Sequence, residues 1–109
     1  MNTLVESLKA HGNVGEARAI RRDALALRLG LTVREVKAQA EAARVLGEPV
    51  LYSTDAHSGG IYLGETEQEI EQGIAKLTRF ARAILRERSA LKRSMRARWQ
   101  AQVQKELFG

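Results

Sequence analysis

The sequence predicts a mainly α-helical fold with a small β-hairpin and a long C-terminal helix. Residues 21–46 have the apolar spacing of two short helices separated by a glycine turn, and residues 50–63 have the composition of two strands around a polar turn. From Thr66 onward, only Gly73 interrupts a proline-free segment that continues to Gly109. Aromatic residues make up only 5% of the chain and alanine and leucine are abundant, so helices are expected to dominate.

The N-terminal residues 1–11 are predicted to form the first helix of the domain. Leu4, Val5 and Leu8 lie at helical spacing and would be its core contacts. Residues 12–15 then form a turn, whose two glycines do not make a dinucleotide-binding motif because no predicted strand precedes them.

A helix-turn-helix is predicted around Gly30, which ends one apolar-periodic run and allows a sharp turn into the next helix. Thr32 and Glu35 have the spacing of a capping box, in which each side chain accepts a hydrogen bond from the other residue's backbone amide. Apolar residues recur on the face expected to meet the preceding helix: Val36, Ala40 and Ala43. The opposite face consists of Arg34, Lys37, Ala38, Glu41 and Arg44. Such a helix has the form of a recognition helix that enters a major groove.

A β-hairpin is predicted after this helix. Gly47 is a favoured residue just past a helix C-terminus, and Pro49 prevents the helix from continuing. Val50 to Thr54 and Ile61 to Leu63 are rich in β-branched, aromatic and aliphatic residues, and residues 55–60 between them have turn composition. The order of helix, turn, helix and hairpin is that of a winged helix-turn-helix, in which the hairpin is the wing.

These segments together resemble a known family. The helix ending in Leu-Gly, the T-x-x-E helix, the Gly-x-Pro-Val turn and the Gly-Gly-Ile-Tyr-Leu strand are similar to the winged-helix domains of bacterial and phage regulators, including the DNA-binding domain of biotin-repressor-type proteins. The added helix containing ILRERSALKRSM resembles that of small uncharacterised phage and prophage winged-helix proteins with a long C-terminal helix. The resemblance covers roughly residues 1–95 and implies double-stranded DNA as the partner. The wing tip departs from the pattern, because it carries His57 and neither arginine nor lysine.

Specific roles on DNA follow for several residues. Arg34 or Lys37 is the best candidate to contact guanine, and Glu41 would accept a hydrogen bond from cytosine or repel wrong registers. Arg21 and Arg22, expected at the start of the preceding helix, would clamp a phosphate. The complete set of predicted DNA-binding residues is Arg21, Arg22, Thr32, Arg34, Lys37, Ala38, Glu41, Arg44, His57 and Ser58.

Charge is unevenly distributed along the chain, whose net charge is +5. Residues 1–65, the predicted winged helix-turn-helix domain, contain eight basic and eight acidic residues, whereas residues 76–109 contain ten basic and two acidic ones. Residues 66–109 are predicted to form one long basic helix, with Thr66 and Glu69 as a second capping box at its start. A helix of this length extends about 60 Å, so it cannot all pack on its own small domain.

An apolar seam is predicted along this long helix. Its residues follow alternating steps of four and three, with one charged member: Ile70, Ile74, Leu77, Ala81, Ile84, Arg88, Leu91 and Met95. Such spacing is typical of coiled-coil packing. The first part of the helix is therefore expected to complete the domain core. The rest is expected to pair with a second copy through Ile84, Leu91, Met95 and Trp99, although an intramolecular packing role for the whole seam is the alternative.

A stripe of arginines lies beside the seam and consists of Arg79, Arg82, Arg86, Arg93 and Arg96. Three interpretations are open: a solvated helix face, a surface that contacts nucleic acid phosphates (duplex DNA or structured RNA), or a contact with a protein partner. A membrane partner is not expected, because the adjacent seam is only weakly hydrophobic.

Other classes of protein are not favoured by the sequence. There is no cysteine for disulfides or thiolate metal sites, no apolar run long enough to span a bilayer and no signal-peptide pattern at the start, so a cytoplasmic protein is expected. Asp55, His57 and Ser58 share one predicted turn, which does not hold a catalytic triad in place. His11 is the remaining candidate general base. No enzyme activity, catalytic residue, cofactor or metal is predicted.

The sequence therefore predicts a dimeric winged-helix protein that binds double-stranded DNA sequence-specifically, in transcription regulation or in phage or plasmid DNA processing. The alternative is a protein-interaction adaptor that docks on a replication, transcription or packaging machine through its C-terminal helix.

Overall fold

A computed structural model of the protein describes residues 3–53 and 59–108. Along these ranges the elements are α1 (Thr3–Ala10), a short 3₁₀ helix (Glu16–Arg18), β1 (Ile20–Arg21), α2 (Arg22–Leu29), α3 (Val33–Val45), β2 (Val50–Tyr52), β3 (Gly60–Leu63) and α4 (Glu67–Phe108). The predicted fold class is confirmed at this coarse level: mostly helix, a small antiparallel sheet and a long C-terminal helix. None of the helices in the described ranges combines the length and the apolar composition needed to cross a bilayer.

The chain divides into two compact units, residues 1–74 and residues 75–109. The first unit contains all the strands and α1 to α3, together with the start of α4. The second unit consists of the remainder of α4 in its described part.

The hydrophobic core lies in the first unit, between the three short helices and the sheet. Its buried members are Leu4, Val5, Leu8, Leu25, Ala26, Val36, Ala40, Ala43, Val50, Ile61 and Leu63. The core contacts predicted for α1 and for α3 are therefore confirmed. Small alanines on α3 allow its backbone to approach α1 and α2 closely, which is how three short helices enclose one core.

The predicted turn between α2 and α3 is confirmed in detail. Gly30 adopts a left-handed conformation with φ of 66°, which costs a residue without a Cβ little. The Leu31 amide then donates to the Ala26 carbonyl at 2.9 Å, closing the end of α2. Thr32 Oγ1 accepts from the Glu35 amide, and a Glu35 carboxylate oxygen accepts from the Thr32 amide, both at 3.1 Å. The capping box therefore sets where α3 begins.

The sheet has three strands in the order β1, β3, β2, all antiparallel. β3 is central, because Ile61 lies opposite Ile20 of β1 on one side and Tyr52 of β2 on the other. The sequence does not predict β1. It places Arg21 at the start of α2, whereas the structure places Arg21 in β1 and starts the helix at Arg22. A two-residue strand is too short to produce an alternating pattern, and its pairing comes from residues about 40 positions away.

The hairpin bounds also differ from the predicted ones. β2 ends at Tyr52 rather than at Thr54, and β3 begins at Gly60 rather than at Ile61. Strand pairing extends as far as the Ser53 amide, which donates to the Gly60 carbonyl at 2.8 Å. Residues 54–58, including the predicted contacts His57 and Ser58, lie outside the described residues.

Hydrogen bonds at Glu69 join the start of α4 to the rest of the first unit. The predicted capping box forms, since the Glu69 amide donates to Thr66 Oγ1 at 3.2 Å and Glu69 Oε1 accepts from the Thr66 amide at 3.4 Å. Glu69 also accepts from the Glu65 amide at 2.8 Å and, through Oε2, from the Glu16 amide at 2.9 Å. Hydrogen bonds from these backbone amides, that of Glu16 first, lower the pKa of Glu69.

Tyr62 of β3 belongs to the same cluster. Its hydroxyl donates to Glu16 Oε2 at 3.2 Å. Burial, followed by the negative charge of Glu16, raises the pKa of Tyr62 to about 12. Glu16 thus connects the 3₁₀ helix to β3 through its side chain and to α4 through its backbone.

The sequence predicts that the first part of α4 completes the core, but no described side chain of α4 is buried. The contact with the sheet is lighter. Ile70 is half-buried over Gly64, where an added Cβ would lie 2.9 Å from Ile70 Cγ1. At Gly73 an added Cβ would meet Leu51 of β2 at 2.5 Å, so the missing side chain lets α4 approach the sheet. The core is closed by earlier elements, and α4 covers its edge.

Candidate nucleic-acid interface

The outer face of α3 carries most of the predicted base-contacting residues. They are all exposed: Arg34, Lys37, Ala38 and Glu41. The other side of the helix is buried in the core. An α-helix with its side chains is about 10–12 Å across, which the major groove, roughly 12 Å wide, can admit. Among the described residues neither Arg34 nor Lys37 forms an ion pair, so both cations are available to an external partner.

Thr32 is exposed but already engaged. Its hydroxyl accepts the hydrogen bond that caps α3, and Glu35 completes the box from the same side. Substitution of Thr32 would therefore change the helix start as well as any contact that its side chain makes to a partner.

Arg21 and Arg22, predicted to act together on a phosphate, have different environments. Arg21 is exposed and forms an ion pair with Asp23 at 3.2 Å. Arg22 is half-buried, and its Nε donates to the Gly59 carbonyl at 3.1 Å. The strand β1 separates the roles of the two residues, because it turns Arg21 to the outside while Arg22 begins α2 beside the hairpin.

Arg44 is the predicted groove residue that the structure engages internally. It lies in the last turn of α3 and is half-buried, and its Nε donates to the Val50 carbonyl at 2.7 Å. Its guanidinium carbon lies 4.6 Å from the centre of the Tyr52 ring. The guanidinium carbon of Arg22 lies 5.4 Å from the same ring centre. The structure thus brings together Arg22 and Arg44, which are separated by 22 positions in the sequence.

Tyr52 is the residue of this surface that sequence reasoning missed. Its strand position marks it as a pairing residue and its ring as a packing group, and neither property indicates two arginines beside it. The available signal was that β2 follows α3 after a short turn, which places the first strand of a hairpin next to the last turn of that helix.

The second unit exposes both surfaces predicted on the long helix. All five members of the arginine stripe are exposed: Arg79, Arg82, Arg86, Arg93 and Arg96. So are the residues predicted for oligomerisation, namely Ile84, Leu91, Met95 and Trp99. Trp99 is 67% exposed and forms an open, shallow hollow with Met95, Arg96 and Gln100. Apolar side chains of this size in a row, interrupted here only by Arg88, are typical of a surface that meets a partner.

The geometry therefore contains two candidate surfaces. One is the outer face of α3 with the arginine pair around Tyr52, and the other consists of the two exposed faces of α4 in the second unit.

His11, the one described candidate general base, is exposed, and its Nδ1 lies 3.0 Å from the Ser7 carbonyl oxygen. Comparison of the chain with protein-family models, with curated proteins and with solved structures finds no match in any of the three.

Proposed function

We propose that the protein binds double-stranded DNA sequence-specifically through a winged helix-turn-helix domain, with α3 as the recognition helix. The order of elements supports this proposal: α1, β1, α2 and α3 are followed by the hairpin β2–β3, and β1 joins the hairpin as a third strand. The role of the protein would be transcription regulation, or DNA processing in a phage or plasmid.

The observation that carries the proposal is the division of α3 into two faces. One face anchors the helix in the core, and the other presents Arg34, Lys37, Ala38 and Glu41 with no packing role of their own. Long side chains held on a rigid, anchored helix are what base readout in a major groove requires. The balanced charge of residues 1–65 predicts modest nonspecific affinity, so specific contacts must supply much of the binding free energy.

The proposal includes a homodimer formed through α4. Ile84, Leu91, Met95 and Trp99 are exposed in the single chain and lie on one side of the helix. Pairing would remove their apolar surface from water. A dimer would also present two copies of α3 to two DNA half-sites, as is usual for helix-turn-helix regulators.

The first test is fluorescence anisotropy with random-sequence duplex DNA across a salt series. We expect Arg34→Glu combined with Lys37→Glu to abolish binding, because two anions would face the phosphates. The matched control is Lys9→Glu combined with Arg18→Glu, which makes the same change in charge at exposed residues of α1 and the 3₁₀ helix. Equal losses in both double variants would refute a specific role for α3.

Base readout is tested by selection of binding sites from random duplexes. Arg34→Ala is expected to relax the preference at one base pair, at a cost of roughly 1–3 kcal/mol if Arg34 makes a bidentate contact with guanine. An unchanged preference would remove Arg34 from the set of base-reading residues.

The second candidate function is an adaptor that docks on a larger replication, transcription or packaging machine. The exposed apolar row on α4 favours this adaptor role. A protein partner could cover Leu91, Met95 and Trp99 just as a second copy of the chain could. If the protein is an adaptor, Trp99→Ala should abolish binding to the partner machine, whereas Arg34→Glu with Lys37→Glu should leave that binding intact. DNA binding predicts the reverse order of severity.

A further inference from the structure

We infer that Arg22 and Arg44, gathered around the ring of Tyr52, form a preformed binding site for the phosphodiester groups of a nucleic acid backbone. This inference rests on the proposed function and deepens it. It gives Arg44 the role of a phosphate-binding residue rather than a base-reading one, and it sets Arg22 apart from Arg21.

The geometry joins three elements at the base of the hairpin. Arg22 begins α2, Arg44 is in the last turn of α3, and Tyr52 ends β2. The two guanidinium carbons lie 5.4 Å and 4.6 Å from one ring centre. They are therefore no more than about 10 Å apart, the two distances laid end to end. That separation is within reach of one phosphodiester or of two neighbouring ones on a single strand.

Each guanidinium is held by contacts that leave its outer nitrogens available. Arg22 uses Nε to donate to the Gly59 carbonyl, and Arg44 uses Nε to donate to the Val50 carbonyl. Within residues 3–53 and 59–108, the Nη groups of neither arginine donate to a protein acceptor. Guanidinium Nη donors form the planar fork that matches phosphate oxygens. Because Nε and the ring already restrict both side chains, less rotamer freedom remains to be lost on binding.

The charge of the cluster favours an anion. Two guanidiniums lie beside one aromatic ring, and neither forms an ion pair with a carboxylate in the described part of the chain. Two like charges held this close together repel each other. A bound phosphodiester would relieve this repulsion and gain two charge-assisted contacts. Arg21 differs in this respect, because Asp23 already neutralises it.

The site also offers an account of a wing tip without arginine or lysine. In this chain the positive charge lies at the base of the hairpin, on residues that the strands and helices hold in place. A backbone contact made there would fix the orientation of α3 in the groove without reading sequence.

The test compares salt dependence of duplex binding by anisotropy, using the full chain. Arg22→Gln combined with Arg44→Gln is expected to reduce the magnitude of the slope of log K against log salt by about 1–2, equally for every duplex sequence. The control Lys9→Gln combined with Arg18→Gln removes the same charge at exposed positions and should leave the slope within error.

A second measurement covers the case in which the arginine variant does not fold, as judged by circular dichroism. Inorganic phosphate is titrated into the unaltered protein, and the Nε–H signals of Arg22 and Arg44 are followed by NMR. Both are expected to shift with one common midpoint. Absence of any shift would overturn the inference.

The remaining outcomes separate the inference from the proposed function. If charge reversal on α3 abolishes duplex binding but the Arg22 and Arg44 variant keeps the parental slope, the inference fails and the function stands. If phosphate shifts the two signals while the slope is unchanged, the site holds a free anion and its assignment to the nucleic acid backbone is overturned. If no form of the protein binds duplex, both proposals fall.

Discussion

Both units of the chain contain leucine, isoleucine and valine, but they treat these residues differently. Residues 3–74 enclose a core in which Leu4, Leu8 and Leu25 are completely buried. Along residues 75–108 no side chain is buried, and Leu91 is 72% exposed. The first unit buries much of its apolar surface within one chain because turns fold three helices and a sheet against one another, although Leu27, Val45 and Leu46 stay exposed. A single helix has no such partner.

Under the proposed function, this difference indicates which surface of each unit contacts a partner. In the first unit the core leaves the outer face of α3 and the arginine pair free for an external ligand. In the second unit the apolar row itself is the surface that needs covering. Substitutions in the core of the first unit should therefore act mainly on the free energy of unfolding. Substitutions in the apolar row of the second unit should act mainly on association.

The largest expected effect is the difference in stability between two leucine-to-alanine variants, one in each unit. Leu25→Ala should lower the free energy of unfolding by about 2–5 kcal/mol, because it leaves a cavity in the core. Leu91→Ala should change it by less than about 0.5 kcal/mol in dilute protein, because nothing surrounds that side chain in the single chain. Urea unfolding at low protein concentration measures both. A similar cost for the two variants would end the distinction between the units.

The next effect concerns self-association, measured by sedimentation equilibrium. Trp99→Ala should weaken the dimer by tenfold or more, since truncation of a central interface tryptophan costs about 2 kcal/mol or more. The matched control is Phe108→Ala, another exposed aromatic residue on α4 that lies off the seam. A parent protein that stays monomeric at every concentration would contradict the dimer and favour the adaptor.

A smaller effect is expected at Glu69, which connects the start of α4 to the 3₁₀ helix. Glu69→Gln should cost about 1 kcal/mol near neutral pH, because it weakens the hydrogen bonds accepted from the Glu16, Glu65 and Thr66 amides. The pKa of Glu69 is lowered in the folded protein from an ordinary value of 4.5. Its stabilisation is therefore fully present above about pH 4.5 and is lost as the pH falls through the lowered pKa.

Unfolding of the parent and of Glu69→Gln should thus be compared at pH 7 and at progressively lower pH. The two curves should converge in acid, where the parent carboxyl is protonated and resembles the amide. A difference that stays constant with pH would show that the ionised carboxylate is not what matters at this position.

The smallest expected effect is at Gly73. Alanine there would gain about 1 kcal/mol of helix propensity. The added Cβ would meet the terminal Cδ2 of Leu51 at 2.5 Å, and the rotation of that flexible side chain should cancel most of the gain. Thermal melting should therefore change by a few degrees at most. A large loss of stability would show that the approach of α4 to the sheet is tighter than the contact at Leu51 implies.

Much of the helical organisation could be predicted from local sequence. The capping boxes at Thr32 and Thr66 and the turn at Gly30 each depend on residues within four positions of one another. Such signals are strong because the same few residues satisfy the backbone at a helix end. The exposed face of α3 followed from periodicity, except at Arg44, which the structure half-buries.

The remaining features could not be predicted in this way. β1 exists because Ile20 pairs with Ile61, and the arginine pair exists because α2, α3 and β2 meet at Tyr52. The link between Glu16 and Glu69 joins residues 53 positions apart. Each depends on which elements become neighbours, and local propensity carries no information about that.

The sequence by itself determined where α2 ends and where α3 and α4 begin, which side of α3 faces inward, and that residues 76–109 are strongly basic. Capping, turn chemistry and apolar spacing depend on residues a few positions apart, so a short stretch of sequence is enough to predict them. Only the tertiary structure decided that β3 is the central strand, that α4 contributes no described buried side chain, and that Arg22 and Arg44 share one ring. Those outcomes depend on how the elements pack, because an apolar or cationic side chain takes its role from the neighbours that the fold brings to it.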